Sequence, residues 1–166
     1  MKALVLEGNS KLSYKIVPDP KLKDDEYLIN VKSAGICSSD IHRVFNNWAY
    51  FYPLILGHEF AGKIVKKSKK TKKFELGDRV VVFPLIPCKK CKYCLLSKYN
   101  QCIKYDYYGS RRNGGFSEYI AVKEWNILNI PDSISFKKAS LIEPISVVFH
   151  AISKVEISKK DKICII

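Results

Sequence analysis

The sequence predicts a mainly β domain with short helices, arranged as a barrel or sandwich. Three observations carry this. Short apolar runs recur between Gly- and Pro-containing turns as far as Val122. Helical spacing becomes dominant only near Ser135. Between these regions four cysteines, Cys88, Cys91, Cys94 and Cys102, crowd into one short run.

The elements follow in order. Ala3 to Leu6 and Leu12 to Val17 read as short strands, and Pro18 and Pro20 end the pattern. Tyr27 to Lys32 (YLINVK) alternates like a half-buried strand. Ser38 to Phe45 fits a short helix capped by Ser38 or Ser39. Phe60 to Val65 and Arg79 to Phe83 are strand-like, with Gly77-Asp78 supplying the turn before the second. Between them KKSKKTKK, Lys66 to Lys73, reads as an exposed turn. Phe116 to Val122 is a further strand. In SFKKASLIEPISVVFHAISKV, residues Ala139, Ile142, Ile145, Val148 and Phe149 fall on one helical face. Pro144 suits the first turn of a new helix, where its missing N–H costs nothing. KKDKICII then reads as a turn followed by a strand-like run, Ile163 to Ile166.

Composition narrows the function. The 166 residues are 47% hydrophobic, enough for a core, and no run of 18 apolar residues could span a membrane. The N-terminus MKALVLEGNS lacks a signal peptide's long apolar region, so the expected location is the cytoplasm, where thiols stay reduced. The net charge of +13 comes mostly from lysines spread along the chain. That spread fits compositional bias better than a nucleic-acid patch. The arginines are Arg43, Arg79, Arg111 and Arg112. Arg111 and Arg112, in GSRRNGG, are candidates for holding a phosphate, because a guanidinium makes paired charged hydrogen bonds.

Gaps of two, two and seven residues let Cys88, Cys91, Cys94 and Cys102 wrap one tetrahedral zinc ion. Two disulfides or four unrelated thiols are the alternatives. A second ligand set is scattered: Cys37 in AGICSSD, His58 and Glu59 in LGHEF, and Glu143 in LIEP. Zinc that does chemistry takes three protein ligands and keeps one position open. Read alone, a core cysteine and a hydrogen-bonded histidine explain two of these residues equally well.

Taken in order, GICSSDIHR, GHEFAG, FELGDRVVV, the cysteine run, GGFSEY and LIEPISVVFHA make the chain resemble the zinc-dependent medium-chain dehydrogenase/reductases, the alcohol and polyol dehydrogenases. Within them it resembles the galactitol-phosphate branch, then the sorbitol and threonine dehydrogenase branches. The resemblance implies a GroES-like β-barrel catalytic domain over residues 1–150, with a structural-zinc lobe at about 86–104. Residues 151–166 become a linker and the first strand of a Rossmann domain. It implies two zinc ions per chain. Cys37, His58 and Glu143 match ligands of the catalytic ion, with Glu59 beside it. Cys88, Cys91, Cys94 and Cys102 match ligands of the structural ion. An iron–sulfur reading fails, because the last gap is seven residues and Ile103 follows Cys102.

The implied reaction is oxidation of a secondary alcohol, on a polyol or sugar phosphate, to a ketone with hydride transfer to NAD(P)+. Ser39 and His42 match the proton relay, and Asp40 is expected behind a ligand or at a helix cap. A homo-oligomer is expected of the complete enzyme, with no nucleic-acid or membrane partner. The competing reading is a basic zinc module that binds nucleic acid or serves assembly. No Gly-x-Gly-x-x-Gly phosphate loop occurs in the chain. It is therefore expected to stop short of the cofactor domain, to be inactive alone, and to expose the apolar tail Ile163, Ile165 and Ile166.

Overall fold

The computed structural model describes residues 1–158 and 160–164. Fourteen named elements follow in chain order: β1 (Lys2–Gly8), β2 (Lys11–Ile16), β3 (Glu26–Gly35), α1 (Ser38–Phe45), β4 (Leu54–Ile55), β5 (Glu59–Lys67), β6 (Arg79–Val82), β7 (Leu85–Ile86), α2 (Lys92–Leu95), β8 (Asp106–Tyr107), β9 (Tyr119–Lys123), β10 (Ile127–Asn129), α3 (Phe136–Ala139) and α4 (Ile142–Ile152). Strands dominate, as the sequence predicts. The main sheet has the order β10-β6-β5-β3-β9 and a smaller one the order β2-β1-β4. Residues 116–118 stitch the two into a curled wall. Leu4 N–H donates to Phe116 and Glu118 N–H to Lys2, while Val31 N–H donates to Glu118.

The core lies inside that wall. Tyr27, Ile29, Phe60, Ile64, Val80, Val82, Ile120, Val122 and Ile127 point inward from five strands and pack with Phe74 and Tyr108. The period-2 alternation of YLINVK is visible in this list: Tyr27 and Ile29 are fully buried, and Leu28 and Asn30 are only partly so. Tyr27 buries a hydroxyl as well as a ring. That hydroxyl donates to Glu124 at 2.9 Å and accepts from Phe74 N–H at 3.0 Å, so no polar atom is stranded. A second cluster, Leu6, Val44, Leu54 and Leu56, seats α1 against β1 and β4.

Several expectations shift. The cap of α1 is Cys37, not Ser38 or Ser39. Lys66 and Lys67 finish β5, so the exposed turn begins at Ser68, and Thr71 within it is buried. The stretch after Ser135 forms two helices. Ser135 caps the first, its Oγ accepting from Lys138 N–H at 3.3 Å. Pro144 does lie in the first turn of the second. On the apolar face only Ala139 is buried; Ile145, Val148 and Phe149 are exposed. Leu54–Ile55, Leu85–Ile86 and Asp106–Tyr107 are strands too short for any alternation to reveal. Of the apolar tail, Ile163 is exposed and in no strand, and Ile165 and Ile166 lie outside the described residues.

Four glycines, Gly57, Gly109, Gly114 and Gly115, form a backbone junction beneath the site. Gly57 has φ +92°, a conformation L side chains rarely adopt, and its carbonyl accepts from Gly115 N–H at 2.8 Å. A Cβ on Gly109 would lie 2.5 Å from the Gly57 oxygen, and one on Gly114 closer still. Gly114→Ala is expected to cost about 2–4 kcal/mol of unfolding free energy in urea titration. A loss under about 1 kcal/mol would mean that the junction yields.

Candidate metal centres

The cysteine run folds into a knuckle on the flank of the main wall. Lys89 takes φ +59° and turns the chain between Cys88 and Cys91, and Cys91 caps α2. Cys88 and Cys94 bring their Sγ atoms to 3.9 Å, and Cys91 and Cys102 theirs to 4.0 Å. All four donors lie within 4.8 Å of one another, and all four thiols are free. Zinc–sulfur bonds of ~2.3 Å put tetrahedral sulfurs about 3.8 Å apart, close to the two short pairs, so the four could hold one zinc ion with little movement.

The surrounding backbone prepares thiolates. The N–H of Lys90 draws the Cys88 thiol below its ordinary range. Those of Cys94 and Ile103 lower Cys91 to about 6. Burial pushes Cys94 the other way, to about 12, so a metal bound there would have to displace its proton. The knuckle is closed at its base by the two-stranded ladder β7–β8, which pairs Leu85 with Tyr107 and Ile86 with Asp106. The lobe thus runs from Leu85 to Tyr107, slightly wider than its expected bounds.

The second constellation gathers residues far apart in sequence. Cys37 follows β3 and caps α1, and Glu59 opens β5. His58 immediately precedes β5, so the glycine junction fixes its backbone. Donor atoms of Cys37, His58 and Glu59 all lie within 4.8 Å of one another. Gly35 makes room for the Glu59 carboxylate, which a Cβ there would strike. Glu143, on the first turn of α4, stands at the edge of this trio and accepts from the Tyr107 hydroxyl at 3.1 Å. Burial raises its pKa, against the pull of nearby His58. Burial, followed by the Glu143 charge, also raises Tyr107.

Asp40 organises the trio. It is buried, and its Oδ2 accepts Cys37 N–H at 3.1 Å. Its Oδ1 lies 3.5 Å from His58 Nδ1 and 3.9 Å from the Arg43 guanidinium, and neither Oδ1 nor Nδ1 has a hydrogen-bond partner elsewhere. Nδ1 thus faces Asp40, which leaves Nε2 for a metal. Burial opposes charge on His58, but Asp40 and then Cys37 outweigh it, and the pKa is pushed up to about 9. A metal would displace that proton. A thiolate, an imidazole and a carboxylate on this spacing suit zinc with an open position. Asp40→Asn is expected to weaken metal at this centre about 10–100-fold, measured by chelator competition, with the four-thiol centre unchanged.

His58 of the trio lines a cavity of about 310 Å³. Ser39, Arg43, Tyr50, His58, Tyr105 and Tyr107 line it, and Leu85 is its only apolar wall residue. Other expected site residues fall differently. His42 stacks on Trp48 with ring centroids 4.6 Å apart and is not among the lining residues. Arg112 is held by Asp106 at 2.7 Å, whereas Arg111 lies across the rings of Tyr50 and Tyr105. The structure therefore separates the two arginines. Sequence reasoning missed Tyr107 and Arg43. The tyrosine-rich run YDYYGS was the available signal for the first.

The curled sheet, the knuckle and the three-donor pocket together define a metal-binding domain of the alcohol dehydrogenase type. The chain belongs to the alcohol dehydrogenase GroES-like domain family, whose pattern it matches over residues 23–132. It is 41% identical over 153 residues to galactitol 1-phosphate 5-dehydrogenase of Escherichia coli (strain K12), covering 91% of this chain and 44% of that one. The crystal structure of galactitol-1-phosphate dehydrogenase from Escherichia coli superposes with a TM-score of 0.86 at 40% identity, covering 92% of this chain and 44% of that one. Sorbitol dehydrogenase of Bacillus subtilis (strain 168) is 36% identical over 99% of this chain and 48% of its own length. A putative zinc-binding dehydrogenase from Sinorhizobium meliloti 1021, solved bound to NADP, gives a TM-score of 0.88 at 29% identity over 92% of this chain and 45% of that one. The chain spans less than half the length of these relatives. Among the described residues no helix is long and apolar enough to cross a membrane.

Proposed function

We propose that this chain is the metal-bearing catalytic half of a zinc-dependent dehydrogenase that oxidises a secondary alcohol of a polyol or sugar phosphate, with NAD(P)+ as acceptor. The single observation that carries the reading is the Cys37, His58 and Glu59 trio, within 4.8 Å, whose His58 lines a polar cavity. Residues 1–150 make this domain, and residues 151–166 lead toward a nicotinamide-binding Rossmann unit. The matches to polyol and sugar-phosphate dehydrogenases support the substrate class. The free thiols suit a cytoplasmic setting. A homo-oligomer is proposed for the enzyme as a whole.

Cys37, His58 and Glu59 would hold the zinc ion, which would supply a Lewis acid for the alcohol oxygen. Bound nicotinamide supplies the hydride acceptor. The chain's own residues do the rest. Asp40 holds the His58 ring in orientation, and Gly35 leaves the Glu59 carboxylate free of the strand backbone. Tyr107 steadies Glu143 at the edge of the trio. Ser39 presents a hydroxyl to the cavity, where it can take the alcohol proton only while passing its own on to solvent. The four-thiolate centre has no open position, so it supports the lobe and takes no part in chemistry.

The competing basic zinc module is less well supported. In the lysine-rich segment Lys67 pairs with Glu75 at 2.5 Å and Lys70 with Asp24, so part of the charge is answered internally. The deciding experiment is metal analysis of this chain and its Cys37→Ala variant, with a dehydrogenase assay of the enzyme that carries it. Two zinc ions falling to one, and NAD(P)+ reduction with galactitol 1-phosphate or sorbitol, are expected. A single zinc unaffected by Cys37→Ala would overturn the reading.

A further inference from the structure

The cavity beside the metal trio carries a cation that the reaction does not require. Arg43 lies one helical turn after Ser39 on α1, and its side chain is 16% exposed. Its guanidinium donates to Ser39 Oγ at 2.7 Å, and its Nε is buried with no partner. The nearest carboxylate, Asp40, is 3.9 Å away and is shared among Cys37 N–H and His58. An arginine stays charged at any working pH, and a buried charge without a forked partner is costly. The cavity lining contains no Asp or Glu. A ligand entering with acceptor oxygens would meet this cation with no lining carboxylate in competition.

A second cation stands at the rim. Arg111 donates to the Tyr50 hydroxyl at 3.2 Å and lies 4.3 Å from the Tyr50 ring centroid and 4.6 Å from that of Tyr105. Both tyrosines line the cavity. Cation–π contact holds Arg111 there without neutralising it. With Arg112 committed to Asp106, the cavity has two cations, one deep and one at the rim.

We propose that Arg43 anchors an anionic oxygen of the polyol, phosphoryl or carboxylate, and that charged polyols are separated from neutral ones at this residue. Arg111 draws the same group to the rim. The assignment rests on the dehydrogenase reading of the cavity and adds the substrate's charge to it. It also alters the expected relay. Ser39 accepts from a donor that cannot take up a proton, so a proton arriving at Ser39 does not leave through Arg43.

The test uses the zinc-loaded chain and calorimetric titration with three probes: glycerol 3-phosphate, glycerate and glycerol. At least one anionic probe is expected to bind about tenfold or more tighter than glycerol, and the better of the two identifies phosphoryl or carboxylate. Arg43→Met is expected to erase that preference with both zinc ions retained. Arg43→Lys, which keeps the charge but not the fork, is expected to lose most of it and decides the matter if the Met variant does not fold. Equal binding of glycerol and both anions, or an undiminished preference in Arg43→Lys, overturns the assignment. A parent chain holding one zinc overturns the underlying dehydrogenase reading instead, so the two failures are told apart by metal content.

Discussion

Cys94→Ala is expected to reduce the zinc content from two ions to one and to open the lobe between Leu85 and Tyr107 while the main sheet stays folded. Cys94 is buried, as Cys102 is, and burial pushes its pKa up to about 12. The lobe has little else to hold it. Its secondary structure is the four-residue α2, one 3-10 turn and a two-residue ladder. Leu95, Leu96 and Ile103 are exposed and contribute no core. Small domains of this kind derive folding free energy from the metal, about 10–16 kcal/mol of apparent zinc binding in finger peptides. Limited trypsin digestion reads the result directly. Lys89, Lys90, Lys92, Lys98 and Lys104 are exposed in the lobe. Cleavage at these lysines is expected in Cys94→Ala and in chelator-treated parent, and not in the zinc-loaded parent. A variant that keeps two zinc ions and resists trypsin would refute the four-thiolate centre.

His58→Ala carries the other large effect. It removes the imidazole and leaves Asp40 buried without its partner, 2% exposed. Breaking a buried charged pair costs stability as well as ligand strength. The chain is expected to retain the lobe zinc and lose the other ion. In the enzyme that carries this domain, kcat should fall on the order of 10³-fold or more, the equivalent of several kcal/mol of Lewis-acid stabilisation. His58→Asn, which restores a polar side chain, should recover folding but not turnover. Full activity in either variant would remove this centre from the chemistry.

Much of this arrangement could be read in the chain beforehand, and the reasons differ by element. α1 was legible to its ends, because one polar-to-apolar face falls within eight residues. The long strands were legible through alternation, although β5 extends two residues further at its C-terminal end, into Lys66 and Lys67. The two-residue strands were not, since no period exists in two residues. The four-thiol site was legible from spacing alone, because its ligands are local. The Cys37, His58 and Glu59 trio is joined only by tertiary structure, through the glycine junction and the Gly35 opening. Motif order could point to it, but spacing could not. His42 was matched by motif position alone, and the structure adds that its ring stacks on Trp48 outside the cavity lining.

The ladder that closes the knuckle also bears on which length changes the chain can tolerate. Tyr107, its last residue, touches the other centre twice, with its ring 5.7 Å from that of His58 and its hydroxyl on Glu143. Adjacent residues of a strand face opposite ways, so a slip of one residue would turn that hydroxyl outward. An insertion among the exposed residues between Cys94 and Cys102 can bulge into solvent. One between Cys102 and Tyr107 cannot, because the sulfur fixes one end of that short segment and Glu143 receives the other. Indels on the two sides of Cys102 should therefore be tolerated very differently: permissive before it, and damaging to the distant histidine and glutamate after it.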